Sequence, residues 1–293
     1  PDYTSKKISG HTTIAYTIRK DGSNKTMQID LQEPMQIDSI RGTTGRIRNY
    51  RREGNVYFID FGDQVFTQWQ TQNDIPAIYS LHIFFSGKPR VATNPPWEGG
   101  WIWTKDNRGR PWMTVACQGL GASVWYPCKD YQGDEPDKGA SLTVTVPDSL
   151  TAIGNGRLIN KKADKKGTTR WTWQVKNPIN SYNIVPYIGK YVHIADHYTG
   201  ESGKDLSLDY WVLDYDSARA VKQFGRDVKR MLKAFEYWFG PYPFYEDGFK
   251  MVQSSHLGME HQSAVAYGNH FMDGYLGMDL SGSGWGKKWD YII

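Results

Sequence analysis

The alternation of apolar and polar residues constrains this chain more than any other feature. Up to about residue 212, apolar side chains recur at every second position, and helical spacing is nearly absent. Ile14, Tyr16 and Ile18 alternate with polar neighbours, as do Met27, Ile29 and Leu31, with Asp21-Gly22 between the two runs. Alternating runs around an Asp-Gly pair read as a β-hairpin. Leu142, Val144 and Val146 form a further run, stopped by Pro147; Trp171, Trp173 and Val175 form another, followed by Asn177-Pro178. Asn155-Gly156 reads as a tight turn. Successive strand side chains face opposite sides, so such runs bury one face of an antiparallel sheet and leave the other wet. The expectation is a mainly β chain with a large, twisted antiparallel assembly over residues 1–212. Within it, residues 87–109 carry Pro89, Pro95, Pro96, Gly99 and Gly100 among Trp97, Trp101 and Trp103, and read as a long irregular loop.

The period changes after Asp216. Val221, Phe224, Val228, Met231, Leu232, Phe235 and Phe239 fall three and four apart, as one face of a long amphipathic helix does. Asp216 or Ser217 can cap its start, and Gly240, Pro241 and Pro243 stop it. A domain boundary is therefore expected between residues 212 and 213. Trp285, Trp289, Ile292 and Ile293 lie on one helical stripe and are read as the first turns of a buried helix that continues beyond residue 293.

Composition narrows the function. The 35 basic and 31 acidic residues leave a net charge of +4, too balanced for a polyphosphate-binding arm. Arg41, Arg46, Arg48, Arg51 and Arg52 surround Tyr50, but they read as a solvated strand face rather than a nucleic-acid patch. Lys161, Lys162, Lys165 and Lys166 around Asp164 read as an exposed turn. No apolar run approaches ~18 residues, so no membrane-spanning helix is expected. Cys117 and Cys128 lack metal-ligand spacing and read as buried thiols. The segment from Pro1 to Lys7 has no hydrophobic leader core. A removed leader, together with the 14% aromatic content, points towards a periplasmic or secreted location.

Among the seven histidines, none is followed by Glu, so H-E-x-x-H is absent. His256, Glu260 and His261 approximate the inverted motif H-x-x-E-H, but the first His stands one residue too early to share an ion. His193 and His197 would lie ~13 Å apart on one strand face, too far for one metal. Neither a nucleophile elbow nor a phosphate-cradling Gly-rich turn occurs in a strand-to-helix setting. Taken on composition alone, an aromatic-rich β protein with a Trp-bearing loop is compatible with a carbohydrate-binding module.

Three segments together resemble the aminopeptidase N family of zinc metallopeptidases, the gluzincins. Cys117-Gln118-Gly119 through Tyr126-Pro127-Cys128-Lys129-Asp130 is similar to the family's T-Q-x-E/Q…F-P-C-x-D segment, with Gln118 ten residues before Cys128. Tyr237-Trp238-Phe239-Gly240-Pro241-Tyr242-Pro243 resembles Y-F-G-x-P-Y-P, and Leu257-Gly258-Met259-Glu260-His261 stands where the family has G-x-M-E-N. The resemblance implies a saddle-like β domain over residues 1–212 and, over residues 213–293, the α/β opening of a thermolysin-like catalytic domain.

The resemblance also implies a function. The intact protein would remove N-terminal residues from peptides with a free N-terminus, using a zinc ion whose ligands lie beyond Ile293. This piece would carry no catalytic residue and no metal ligand, and would supply substrate binding through Gln118, Gly258, Met259, Glu260 and His261. Glu260 matches the carboxylate that receives the α-ammonium, and Gln118 a neutral acceptor from the β domain. Met259 would line the pocket for the first side chain, and Gly258 would lie beside the scissile peptide. His261 replaces the usual Asn, keeping a hydrogen-bond donor but introducing a pH dependence. Leu257 replaces a Gly, restricting the backbone. A non-catalytic scaffold member of the same family is the alternative within this resemblance.

Overall fold

The computed structural model describes residues 1–17, 25–43, 45–61, 78–164 and 167–293. The chain is mainly β. Three sheets are antiparallel throughout: Ile8–Tyr16, Tyr79–Gly87, Gln36–Gly42 and Gly45–Ile47 in that spatial order; Thr26–Asp30, Val56–Asp60 and Tyr50–Glu53; and Ala140–Pro147, Thr168–Val175 and Arg157–Ala163. A fourth antiparallel sheet orders Thr151–Ile153, Tyr187–Gly189, Pro111–Ala116 and Gly100–Lys105. The cross-strand pairs Leu142 with Trp173 and Val144 with Trp171 place the two alternating runs against each other.

Two local expectations are corrected by the pairing. Both runs of the expected hairpin form strands, but Ile8–Tyr16 pairs with Tyr79–Gly87 and Thr26–Asp30 with Val56–Asp60. Alternation fixes which face of a strand is buried and leaves the neighbour open. Ile18, Asp21 and Gly22, like Lys165 and Lys166, lie outside the described residues. The segment 87–109 is not one irregular loop. It contains Gly100–Lys105, paired with Pro111–Ala116, and Trp101 in this strand is buried at 1% exposure. Gly99 admits the close approach, since a Cβ there would stand 2.6 Å from the Ala116 carbonyl oxygen.

The fifth sheet is mixed. Tyr191–Thr199 and Asp205–Leu213 form an antiparallel hairpin; Asp205–Leu213 then runs parallel to Phe249–Gln253, which runs parallel to Val265–Tyr267. The short strand Gly258–Met259 closes the order as its outer member, antiparallel to Val265–Tyr267. A parallel pair needs a crossover, and the helix Ser217–Phe239 supplies it. Ala220, Phe224, Val228 and Leu232 are buried beneath it with Leu206, Leu208, Tyr210 and Val212 of the sheet. Asp216 stands at the cap position without making a side-chain cap bond, because its carboxylate accepts from Gln253 Nε2 at 2.7 Å and Arg219 at 3.1 Å. Gly240 ends the helix at φ 91°. Val221, Phe235 and Phe239, expected on the buried stripe, are exposed, Phe239 at 83%.

The larger core runs across residue 212: Val252, Ala264 and Ala266 share it with Val115, Ile153 and Tyr187. Lys250 also crosses. It is buried, donates to the Gly156 carbonyl, and lies 5.2 Å from the Trp173 ring centroid. Burial pulls its pKa down to about 7, against the pull of Asp209.

The stripe of Trp285, Trp289 and Ile292 forms no α-helix, only the single 3-10 turn Trp285–Lys287. Asp279 takes the backbone N–H groups of Ser281 and Gly284 at 3.0 and 2.6 Å, and Gly282 and Gly284 adopt positive φ. Side-chain capture of backbone donors competes with the helix ladder. Trp285 and Trp289 stack on each other instead, at 5.8 Å between ring centroids.

Candidate functional site

The site is built on the loop that follows Gly258–Met259. Glu260 is exposed there, while His261, Ser263 and Ala264 around it are buried. An exposed acid on a loop held from behind has a fixed origin and a free tip. The hold is extensive. Asn155 Nδ2 donates to the Gln262 carbonyl at 2.7 Å, and its Oδ1 accepts from Val185 N at 3.1 Å. Gly156 N donates to Ser263 Oγ at 2.8 Å, and Gln262 N to Asn183 Oδ1 at 3.3 Å. Every one of these partners belongs to the part of the chain before residue 212, so the β-rich part positions the Glu260 loop.

His261 is fully buried beneath Glu260, so it acts from behind the surface rather than lining it. Its Nδ1 lies 2.7 Å from the Tyr187 hydroxyl, which itself donates to the Ala264 carbonyl at 2.8 Å. Leu257, which stands where the resemblance has Gly, is not among the residues with positive φ. Met259 is half-buried and packs on the large core. At Gly258 a Cβ would meet Ile292 Cγ2 at 2.8 Å and the Ala266 carbonyl at 3.1 Å, so a side chain there would displace its neighbours.

The Glu260 carboxylate has one partner that the sequence did not single out. Tyr182 donates its hydroxyl to Glu260 Oε1 at 3.1 Å. Tyr182 sits in the 3-10 turn Ser181–Asn183, whose start is capped by the Asn180 side chain accepting from Tyr182 N at 3.3 Å. Gln118 is exposed in the turn after Pro111–Ala116, next to the buried Cys117. The following turn, Ala122–Val124, packs against Ser181–Asn183, and Leu120, Tyr182 and Met259 border one core. Asp130 holds this segment by accepting from Ala122 N at 3.1 Å and Ser123 N at 3.0 Å. Sequence reasoning missed Tyr182, Tyr187, Asn155 and Asn183 as contributors. Only the turn at Asn155-Gly156 left a local signal.

Among the described residues, no group of three or more His, Cys, Asp or Glu side chains is placed to hold one metal ion. The described residues thus do not fit a zinc site. Of the tryptophans, Trp101, Trp125, Trp171 and Trp173 are interior, whereas Trp97 of the 87–109 segment is half exposed. Of the arginines near Tyr50, Arg51 pairs with Glu53 at 2.7 Å on the exposed surface, and Arg52 donates to the Met35 carbonyl at 2.9 Å. Among the described residues no helix is long and apolar enough to cross a membrane.

No family model and no curated protein matches the sequence. Solved structures do match. A mutant M1 zinc metallopeptidase from Deinococcus radiodurans superposes with TM-score 0.69 at 17% identity, over 89% of this chain and 56% of that one. LTA4 hydrolase from yeast gives 0.65 at 13% identity, over 93% of this chain and 39% of that one. Aminopeptidase A from Legionella pneumophila gives 0.63 at 15% identity, over 88% and 28%. The chain spans 56% of the Deinococcus protein's length. By these superpositions, this chain has the fold of the M1 zinc metallopeptidases, the gluzincin group, over the part of their length that it spans.

Proposed function

We propose that this chain is the substrate-recognising part of a zinc aminopeptidase, with Glu260 and Gln118 receiving the free N-terminus of a peptide. The observation that carries the reading is the exposed Glu260 carboxylate on a loop whose neighbours are buried and fastened to the β-rich part. An α-ammonium stripped of water needs a charged partner, and an oriented carboxylate is the natural one. Gln118, in the turn after Pro111–Ala116, would add a neutral acceptor. Met259 lines the pocket for the first side chain, Gly258 belongs to the backbone stretch beside the scissile peptide, and His261 supports the loop from beneath. Supporting the substrate class, solved structures with this fold were obtained with L-tryptophan and with a Tyr-Ser-Ala substrate. The division between residues 212 and 213 is part of the same proposal, as a boundary of chain order across which the core continues. Zinc belongs to the intact protein in this reading. Since the described residues do not fit a zinc site, no hydrolytic step is assigned to any of them.

The test is Glu260→Ala in the full-length protein. Turnover of aminoacyl amides is expected to fall by about 100-fold or more, because the ammonium loses both partner and alignment. Zinc content should not change. Turnover within a few-fold of wild type would overturn the proposal.

A further inference from the structure

We propose that Tyr182 is a positioning residue for Glu260, so that the amine site is completed by a phenol carried on the β-rich part of the chain. This rests on the reading of Glu260 as the partner of the substrate ammonium. The Tyr182 hydroxyl occupies Oε1 at 3.1 Å and leaves Oε2 to an incoming cation. A glutamate exposed at a loop tip samples many rotamers, and fixing it on binding costs affinity. A donor already in place selects one rotamer before the ligand arrives.

The geometry favours a positioning role over a merely structural one. The turn that carries Tyr182 is itself fixed: Tyr126 donates to the Ser181 carbonyl at 2.9 Å, and the Asn180 side chain caps it. The Glu260 loop, in turn, is fastened by Asn155, Asn183, Tyr187 and the Ser263 hydroxyl. With those tethers present, the fold does not need a bond to an exposed carboxylate. Burial, with Glu260 beside it, pushes the Tyr182 phenol up to about 12, so it keeps its proton and stays a donor over the whole range in which peptides are bound.

The experiment is a double-mutant cycle in the full-length protein with Tyr182→Phe, Glu260→Gln and both together. The probe is L-tryptophan amide; its α-hydroxy counterpart serves as the uncharged control, and binding is read by calorimetry. Tyr182→Phe is expected to weaken the amine probe by about 5- to 20-fold, the range for a hydrogen bond to a partly exposed charged group, and to leave the control unchanged. In the Glu260→Gln background it should cause no further loss, because the group it orients is gone. Tyr182→His, which keeps a ring donor, should recover part of the affinity. If Tyr182→Phe changes amine binding by less than twofold while Glu260→Gln removes it, the positioning role is wrong and the amine-site reading stands. Equal losses for both probes, or additive losses in the double variant, would also overturn it. If Glu260→Gln itself leaves amine binding intact, the amine-site reading falls, and this inference with it. Should Tyr182→Phe lower the melting temperature, the comparison of the two probes still decides, since instability weakens both alike.

Discussion

The proton arrangement at His261 follows from counting donors. The Tyr187 hydroxyl has one proton, and it goes to the Ala264 carbonyl; towards His261 it can only accept. Nδ1 of His261 therefore carries the ring hydrogen, and Nε2 is a buried acceptor without a protein partner. Burial, and then the nearby His256, pulls the His261 pKa down to about 3, while burial pulls His256 to about 4. Both rings are neutral in the folded chain, whereas in the unfolded chain they take up protons near 6.5. Their contribution to stability is complete above about 6.5 and is lost as the pH falls towards 4 and then 3. By pH 5 each ring removes about 2 kcal/mol. The pH dependence expected at His261 thus belongs to stability, in mildly acid solution. His261→Asn keeps a donor for Tyr187 and removes one titration, so the loss of stability between pH 7 and pH 5 should shrink by about half. Urea unfolding midpoints at the two pH values measure this; identical losses in the two proteins would show that His261 does not titrate in the way described.

The elements differ in how far the sequence discloses them. The helix Ser217–Phe239 was legible because its spacing, its start and its Gly-Pro stop are all local. Which of its apolar residues are covered was not, because that depends on where the sheet ends beneath it: Phe224 is buried and Phe235 is 55% exposed. Phe224→Ala should cost about 3–5 kcal/mol by leaving a cavity, and Phe235→Ala well under about 1 kcal/mol. Denaturant unfolding of the two variants reads the difference, and equal costs would contradict this account of the helix face. The strands were legible as strands, since Leu142, Val144 and Val146 alternate as a half-buried run must. Their partners were not, because pairing is decided by packing between distant segments, as for Ile8–Tyr16 and Tyr79–Gly87. At the candidate site the same limit applies. Glu260 and Gln118 came from motifs, whereas Tyr182 and Asn183 left no trace in spacing because their bonds to the loop join distant parts of the chain.

At the scale of the whole molecule, the change of sequence period at residue 212 marks a change of chain path within one continuous packing. Asp205–Leu213 belongs to the earlier part by order and to the mixed sheet by hydrogen bonding, and Lys250 ties that sheet to the Gly156 carbonyl. A protein of residues 1–212 alone should therefore fail as an independent unit. It would expose Leu206, Leu208, Tyr210 and Val212, all buried here beneath the helix and beside Phe249–Gln253. Such a product should aggregate or show poor spectral dispersion by NMR, and a soluble, cooperatively melting protein would show the boundary to be a folding boundary after all. The parallel pairing of Asp205–Leu213 with Phe249–Gln253 also has a consequence in time. On the ribosome, the hairpin Tyr191–Thr199 and Asp205–Leu213 emerges first, and one edge must wait through the synthesis of the whole crossover helix before its neighbour exists. During that interval it offers unpaired backbone and an uncovered apolar face to any other nascent chain, so the yield of folded protein in a cell should depend on how quickly translation proceeds through the helix and on holding chaperones that shield the waiting strand.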